Sequence, residues 1–181
     1  METLGISEET ARELFQDHAS YVYGIALMLT RSASAADDIT QETFLRAYQK
    51  YAIYDPTRPV RPWLYRMTVN MSRSMLRRQR WLTFFGQTPE QGSVPSIEEA
   101  VLQLETNREL WELVESLTPK RKEVIVLFYY AGLPLPEVAE ILGIRLGTCK
   151  SRLHAALEQL RSGHHPAAFQ RPSLAAKEVI E

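Results

Sequence analysis

One cysteine, Cys149, stands in 181 residues, so no internal disulfide can form and a reducing compartment is expected. Long apolar runs are missing too. The best, residues 22–29, is eight residues long, against the roughly 20 a membrane helix needs. The first residues, METLGISEETARELF, place acids where a secretion signal would be basic and then apolar. These absences point to a soluble, cytoplasmic protein with no membrane insertion. No class of residue is extreme: 45% hydrophobic, 24% charged and 9% aromatic exclude a wholly disordered or collagen-like chain. Net charge is −1, without the basic excess of a simple nucleic-acid binder.

That total hides a segregation. Residues 1–57 carry nine acids against four bases, whereas residues 58–80 carry seven arginines and no acid. Residues 81–118 carry seven acids and one base, and residues 119–163 seven bases and four acids. A field follows local charge rather than the sum, so two separate basic surfaces are expected.

Hydrophobic spacing gives helices throughout residues 10–80. Leu14, His18, Val22, Ile25 and Leu29 recur every three or four residues, with Phe15 and Ala26 beside them. Ser34 and Asp37 resemble a capping box opening a second helix, buried through Ile39, Thr43, Ala47 and Tyr51, with Phe44 and Tyr48 alongside. Tyr51 to Pro62 holds three prolines and reads as a loop. A third helix starts near Pro62 and runs to about Arg80, with an expected apolar stripe of Trp63, Met67, Met71 and Met75.

Residues 83–96, TFFGQTPEQGSVPS, have the composition of a flexible linker. Ser96 with Glu99 then starts a helix through Val101, Leu104 and Leu110. Thr118-Pro119 starts another, ending at Ala131-Gly132. A short helix follows Pro136 and is closed by Gly143; a last one runs from about Leu146 to Arg161. The fold class is therefore all-α: two small helical domains joined by a flexible linker.

Three surfaces carry chemistry. On the third helix Arg66, Asn70, Arg73, Arg77 and Arg80 share the face opposite the methionines, a positive ridge suited to phosphates. The loop before it adds Tyr51, Tyr54, Arg58 and Arg61 to Tyr48 and Trp63; aromatics among arginines can stack unpaired bases, although Tyr48, Tyr51 and Trp63 also suit a core. On the second helix Asp38, Gln41, Glu42 and Leu45 form an acidic-amide face ending in an exposed leucine, fit for a basic protein partner. No histidine or further carboxylate joins that face, so neither metal nor cofactor is expected, and a carboxylate enzyme is disfavoured. Near the C-terminus, the short helix, the Gly143 turn and the last helix read as helix-turn-helix. The last helix buries Leu146, Cys149, Leu153, Ala156, Leu157 and Leu160, and exposes Thr148, Lys150, Ser151, Arg152 and Ala155. A free-standing helix-turn-helix regulator would explain this second half and leave the acidic face and the arginine ridge without a purpose.

The motif D-x-x-Q-E-x-F at Asp38–Phe44, followed by P-W-L-Y-R-M from Pro62, resembles region two of the extracytoplasmic-function (ECF) sigma factors. G-T-x-K-S-R-L at Gly147–Leu153 resembles their region four. The resemblance implies a region-two domain over residues 1–82, a linker over 83–96, a region-four domain over 97–163 and a tail over 164–181. It implies that Asp38, Gln41, Glu42 and Leu45 dock on the clamp helices of the RNA polymerase largest subunit, with region four on the flap. Tyr48, Tyr51, Tyr54, Arg58, Arg61, Trp63, Arg66, Asn70, Arg73 and Arg77 would open and hold the minus-ten element. Arg145, Thr148, Lys150, Ser151 and Arg152 would read the minus-thirty-five element of promoter DNA. An anti-sigma factor is an expected partner, and no reaction is catalysed by the chain itself. Pro134 stands where the family usually has a hydroxyl cap.

Overall fold

The computed structural model describes residues 6–85 and 114–162, and among these no strand occurs. The chain divides into two units, Met1–Ile97 and Glu98–Glu181.

In the first unit, α1 (Glu8–Thr30) is capped by Ser7, whose hydroxyl oxygen accepts from the Thr10 amide at 3.1 Å. Glu8 and Glu9 suit the positive end of the helix dipole. The helix ends at Arg31, left-handed at φ 61°, whose N–H returns to the Leu27 carbonyl at 2.8 Å. Helix α2 (Ala33–Lys50) starts earlier than a cap at Ser34 predicts. Ser32 is its cap, accepting from the Ala35 amide at 3.2 Å, because only a residue with extended backbone can aim its oxygen back at the first turn. A 3₁₀ turn (Tyr51–Ile53) and a loop lead to α3 (Val60–Phe84). That helix runs through Thr83 and Phe84, the first two residues of the expected linker.

Ala26, Ala36 and Ile39 bring α1 and α2 together, with Tyr23, Leu27, Met71 and Met75 closing over them. Small side chains at this crossing allow close backbone approach. The methionine stripe is not the buried face of α3: Leu64, Tyr65, Thr68, Val69 and Ser72 are, and Met67, Met71 and Met75 are half-buried. Thr68 and Ser72 are accepted there because their hydroxyls donate to the Leu64 and Thr68 carbonyls at 3.0 and 2.9 Å. Fully buried Val22, Ile25, Leu64 and Val69 each contribute about 1.5–3 kcal/mol of hydrophobic stabilisation.

In the second unit, α4 (Pro119–Ile125) continues into a π-type turn (Val126–Tyr130), with the Ala131 amide on the Val126 carbonyl at 3.0 Å. Helix α5 (Leu135–Leu142) opens at Pro134, which supplies no side-chain cap, and ends at Gly143 with φ 67°. There the Ile144 amide bonds the Ala139 carbonyl at 3.0 Å and the Gly143 amide the Glu140 carbonyl at 3.2 Å, a glycine-dependent stop. Helix α6 (Leu146–Ser162) buries Cys149, Leu153, Ala156 and Leu160. Leu157, also expected inside, is half-buried. Gln159 ties the helix to the start of the unit: its side-chain oxygen accepts from Arg121 at 2.7 Å and its amide donates to the Ser116 carbonyl at 2.9 Å. The expected helix through Val101, Leu104 and Leu110, the linker beyond residue 85, His164-His165 and the tail lie outside the described residues.

Candidate functional site

The buried side of α2, Ile39, Thr43, Phe44 and Ala47, leaves Asp38, Gln41, Glu42 and Leu45 facing outward. Leu45 is 53% exposed, an apolar group with no core role. Glu42 is held by Arg46, one turn on, through a 2.6 Å N–O contact, so its charge is partly matched on its own helix. Among the described residues, no group of three or more potential metal ligands converges.

The loop and the start of α3 form a continuous aromatic run. Tyr51 and Tyr54 lie 5.7 Å apart between ring centroids, and Tyr54 stacks on Trp63 at 4.8 Å and 29°. The Tyr54 hydroxyl donates to the Arg58 carbonyl, closing the loop on itself, and burial pushes that phenol's pKa up. Asp55 organises the turn: the Thr57 hydroxyl and amide both donate to it, and with Arg58 nearby they hold its carboxyl below the usual range. The Arg61 guanidinium sits 5.9 Å from the Tyr21 ring centroid on α1. The sequence pattern groups Tyr48 with this loop. The structure turns it elsewhere: its hydroxyl donates to the Ala11 carbonyl at 3.0 Å and its ring lies 6.1 Å from Phe44. Tyr51 and Trp63 are half-buried rather than core.

From this aromatic end the ridge of α3 extends about 21 Å, at 1.5 Å per residue, from Arg66 to Arg80. Arg66, Asn70, Arg77 and Arg80 are exposed and Arg73 is half-exposed, and α3 contains no carboxylate. Trp81, Phe84 and Phe85 extend it as an exposed aromatic cluster, with Trp81 and Phe85 stacked at 5.7 Å.

On α6, Thr148, Lys150 and Ser151 are exposed and Arg152 is half-exposed; Arg145 is exposed just before it. The Ser151 hydroxyl already donates to the Thr148 carbonyl at 3.0 Å. Leu146, expected inside, is 40% exposed at the first position of α6. His154, absent from the residues the motif singles out, shares the outward face with Ser151, its Nδ1 lying 3.6 Å from a Glu158 carboxylate oxygen. Its spacing of three from Ser151 is the signal that could have found it. Burial pushes the Cys149 thiol up, against the opposing Arg152 charge, as befits a core residue.

Residues 14–82 match the Sigma-70 region 2 family and residues 107–160 the Sigma-70 region 4 family. The ECF RNA polymerase sigma factor SigL of Mycobacterium tuberculosis is 36% identical over 156 residues, covering 83% of this chain and 86% of SigL. The chain belongs to the ECF RNA polymerase sigma factors. The ECF sigma factor SigW of Bacillus subtilis is 33% identical over 153 residues, covering 77% and 81% of the two chains. Solved structures share the fold. CnrH, in complex with the cytosolic domain of CnrY, has a TM-score of 0.67 at 24% identity, over 88% of this sigma factor and 90% of that chain. The sigma factor RpoE from Bartonella quintana, in complex with the anti-sigma factor NepR, has a TM-score of 0.68 at 20% identity, over 83% and 94%. Membership makes this sigma factor a transcription-initiation factor that directs RNA polymerase to promoters, in a family that is not one of enzymes. No described helix is long and apolar enough to cross a membrane.

Proposed function

We propose that this sigma factor divides promoter work between its two units. Residues 1–82 hold core polymerase through Asp38, Gln41, Glu42 and Leu45 and open the minus-ten element through the Tyr51–Tyr54–Trp63 run and the α3 ridge. Residues 97–163 read the minus-thirty-five element with Arg145, Thr148, Lys150, Ser151 and Arg152, and residues 83–96 join the two. Unpairing DNA costs a few kcal/mol, which a stacking pocket for an extruded base offsets. The chain itself catalyses nothing; it lends specificity to the polymerase.

The observation that carries this reading is the division of chemistry between adjacent helices. The outward side of α2 is acidic and amide-bearing with one exposed leucine, suited to a basic protein helix; the outward side of α3 is carboxylate-free and arginine-rich, suited to phosphates. We further propose control by an anti-sigma factor that covers these surfaces, as the structures of CnrH with CnrY and RpoE with NepR suggest by likeness of fold.

Reconstituted transcription tests the proposal. Core polymerase with the purified chain is expected to yield transcripts from discrete starts preceded by shared minus-ten and minus-thirty-five elements. Starts no different from those of core polymerase alone would contradict it. The isolated chain, with net charge −1, is expected to bind promoter duplex weakly.

A further inference from the structure

The α1 face of the first unit holds a large apolar group that the core does not enclose. Phe15 is 46% exposed although its spacing with Leu14, His18 and Val22 belongs to the apolar side of the helix. Its ring rests on buried Phe44 of α2, centroids 4.9 Å apart at 59°. Phe44 in turn lies beside Tyr48, whose hydroxyl is fixed to the Ala11 carbonyl one turn before Phe15. Phe15 therefore rises over the seam between α1 and α2. On α2, Gln41 lies three residues before Phe44 and Leu45 immediately after it, so the exposed edge of Phe15 borders the turn that presents both.

The surroundings define what fits there. On the side of the two helices that Phe15 occupies stand Glu8, seven residues before it on α1, and Asp38 and Glu42 beside Gln41 and Leu45 on α2, all three exposed. The nearby arginines, Arg12 and Arg46, are already paired with Glu8 at 3.0 Å and Glu42 at 2.6 Å. An apolar rim inside an acidic apron suits a helix that presents an apolar strip bordered by lysines or arginines.

We infer that Phe15 is an anchor of the polymerase-docking surface, which thereby spans both helices: Phe15 from α1 and Gln41 and Leu45 from α2 grip one basic, apolar-striped helix of the polymerase. The inference rests on the proposed role of the α2 face. Partly exposed aromatics at the centre of a charged rim are the residues that dominate binding energy once a partner covers them. Phe15→Ala is expected to weaken core polymerase binding about tenfold or more.

Truncating Phe15 also removes its packing against Phe44, so the deciding experiment keeps an aromatic in place. The photoreactive aromatic p-benzoylphenylalanine replaces, in separate full-length chains, Phe15, Leu45 or the exposed Gln16, which is turned about 100° from Phe15 around α1. Each is mixed with core polymerase and irradiated. Adducts with a polymerase subunit from positions 15 and 45, and none from 16, are the expected result. An adduct from 45 without one from 15 overturns the inference and leaves the α2 docking face standing. No adduct from 15 or 45 overturns both, and equal adducts from 15 and 16 overturn the inference as unspecific proximity.

Discussion

The Tyr54 ring lies on the indole of Trp63 at 4.8 Å with planes 29° apart, fixing a proline-rich loop to the first turn of α3. They stand nine positions apart in sequence, and the stacking turns a loop that could wander into one wall of a shaped surface. Arg58 and Arg61 lie between them, so both guanidinium groups are carried by a segment with little freedom.

Removing that stacking should loosen the loop before it harms the helices. Trp63→Ala is expected to cost about 0.5–1.5 kcal/mol beyond the change in buried area, the worth of an aromatic pair, and to reduce permanganate-reactive open complexes far more than polymerase binding. Trp63→Phe should recover most of the signal.

The α3 ridge is expected to act through phosphates. Replacing Arg66 or Arg77 by alanine should weaken holoenzyme binding across different promoters alike. Each phosphate left without its arginine should lower the slope of log affinity against log salt by about 0.7–0.9. Titrating promoter complexes over a range of salt checks this; an unchanged slope would remove the ridge from the DNA path.

His18 predicts a pH dependence of stability. Burial lowers its pKa below 6.5, the Arg61 charge lowers it further, and Asp17 opposes them. Its Nδ1 is buried without a hydrogen-bond partner. The folded chain therefore resists protonation that the unfolded chain accepts, so stability is complete above pH 6.5 and falls as the pH drops through and below that value. Thermal melts of wild type and His18→Gln should agree near about pH 8, with the wild type losing more on acidification toward about pH 5.

Two glycines at the helix-turn-helix should respond oppositely. Gly143 adopts φ +67°, and alanine there is expected to cost about 1–2 kcal/mol because of backbone strain alone, since a Cβ would meet nothing within 4 Å. Gly147 lies in α6 with open space around it, so Gly147→Ala should stabilise by about 0.5–1 kcal/mol. Chemical denaturation of the two variants measures both.

Most helices were legible because three- and four-residue spacing and the punctuation at Pro119, Gly132 and Gly143 are local signals. What misled was set by neighbours. Met67, Met71 and Met75 form a clean stripe, yet the fully buried strip of α3 is Leu64, Tyr65, Thr68, Val69 and Ser72, with Met71 and Met75 only half-buried against Ala26, Ala36 and Ile39, and hydroxyls bonded to their own helix look polar only in the sequence. Ser32 and Ser34 are equally good caps on paper; the left-handed stop at Arg31 leaves only Ser32 placed to cap. Leu146 counted as apolar and therefore inside, but nothing in the first turn of α6 covers it fully. The acidic face and the arginine ridge were readable because exposed charge on a helix needs no tertiary information. The Tyr48 bond to Ala11, 37 residues away, was not readable from spacing.

Every role proposed for the first unit depends on the outward face of α2 holding core RNA polymerase. Gel filtration of the chain with purified core polymerase, wild type beside Gln41→Ala/Glu42→Lys, tests it most directly. One wild-type chain per core is expected and no co-elution of the variant, although both melt at similar temperatures, since both side chains are exposed and the ion pair with Arg46 is a surface one. Co-elution of both chains, or of neither, would contradict it.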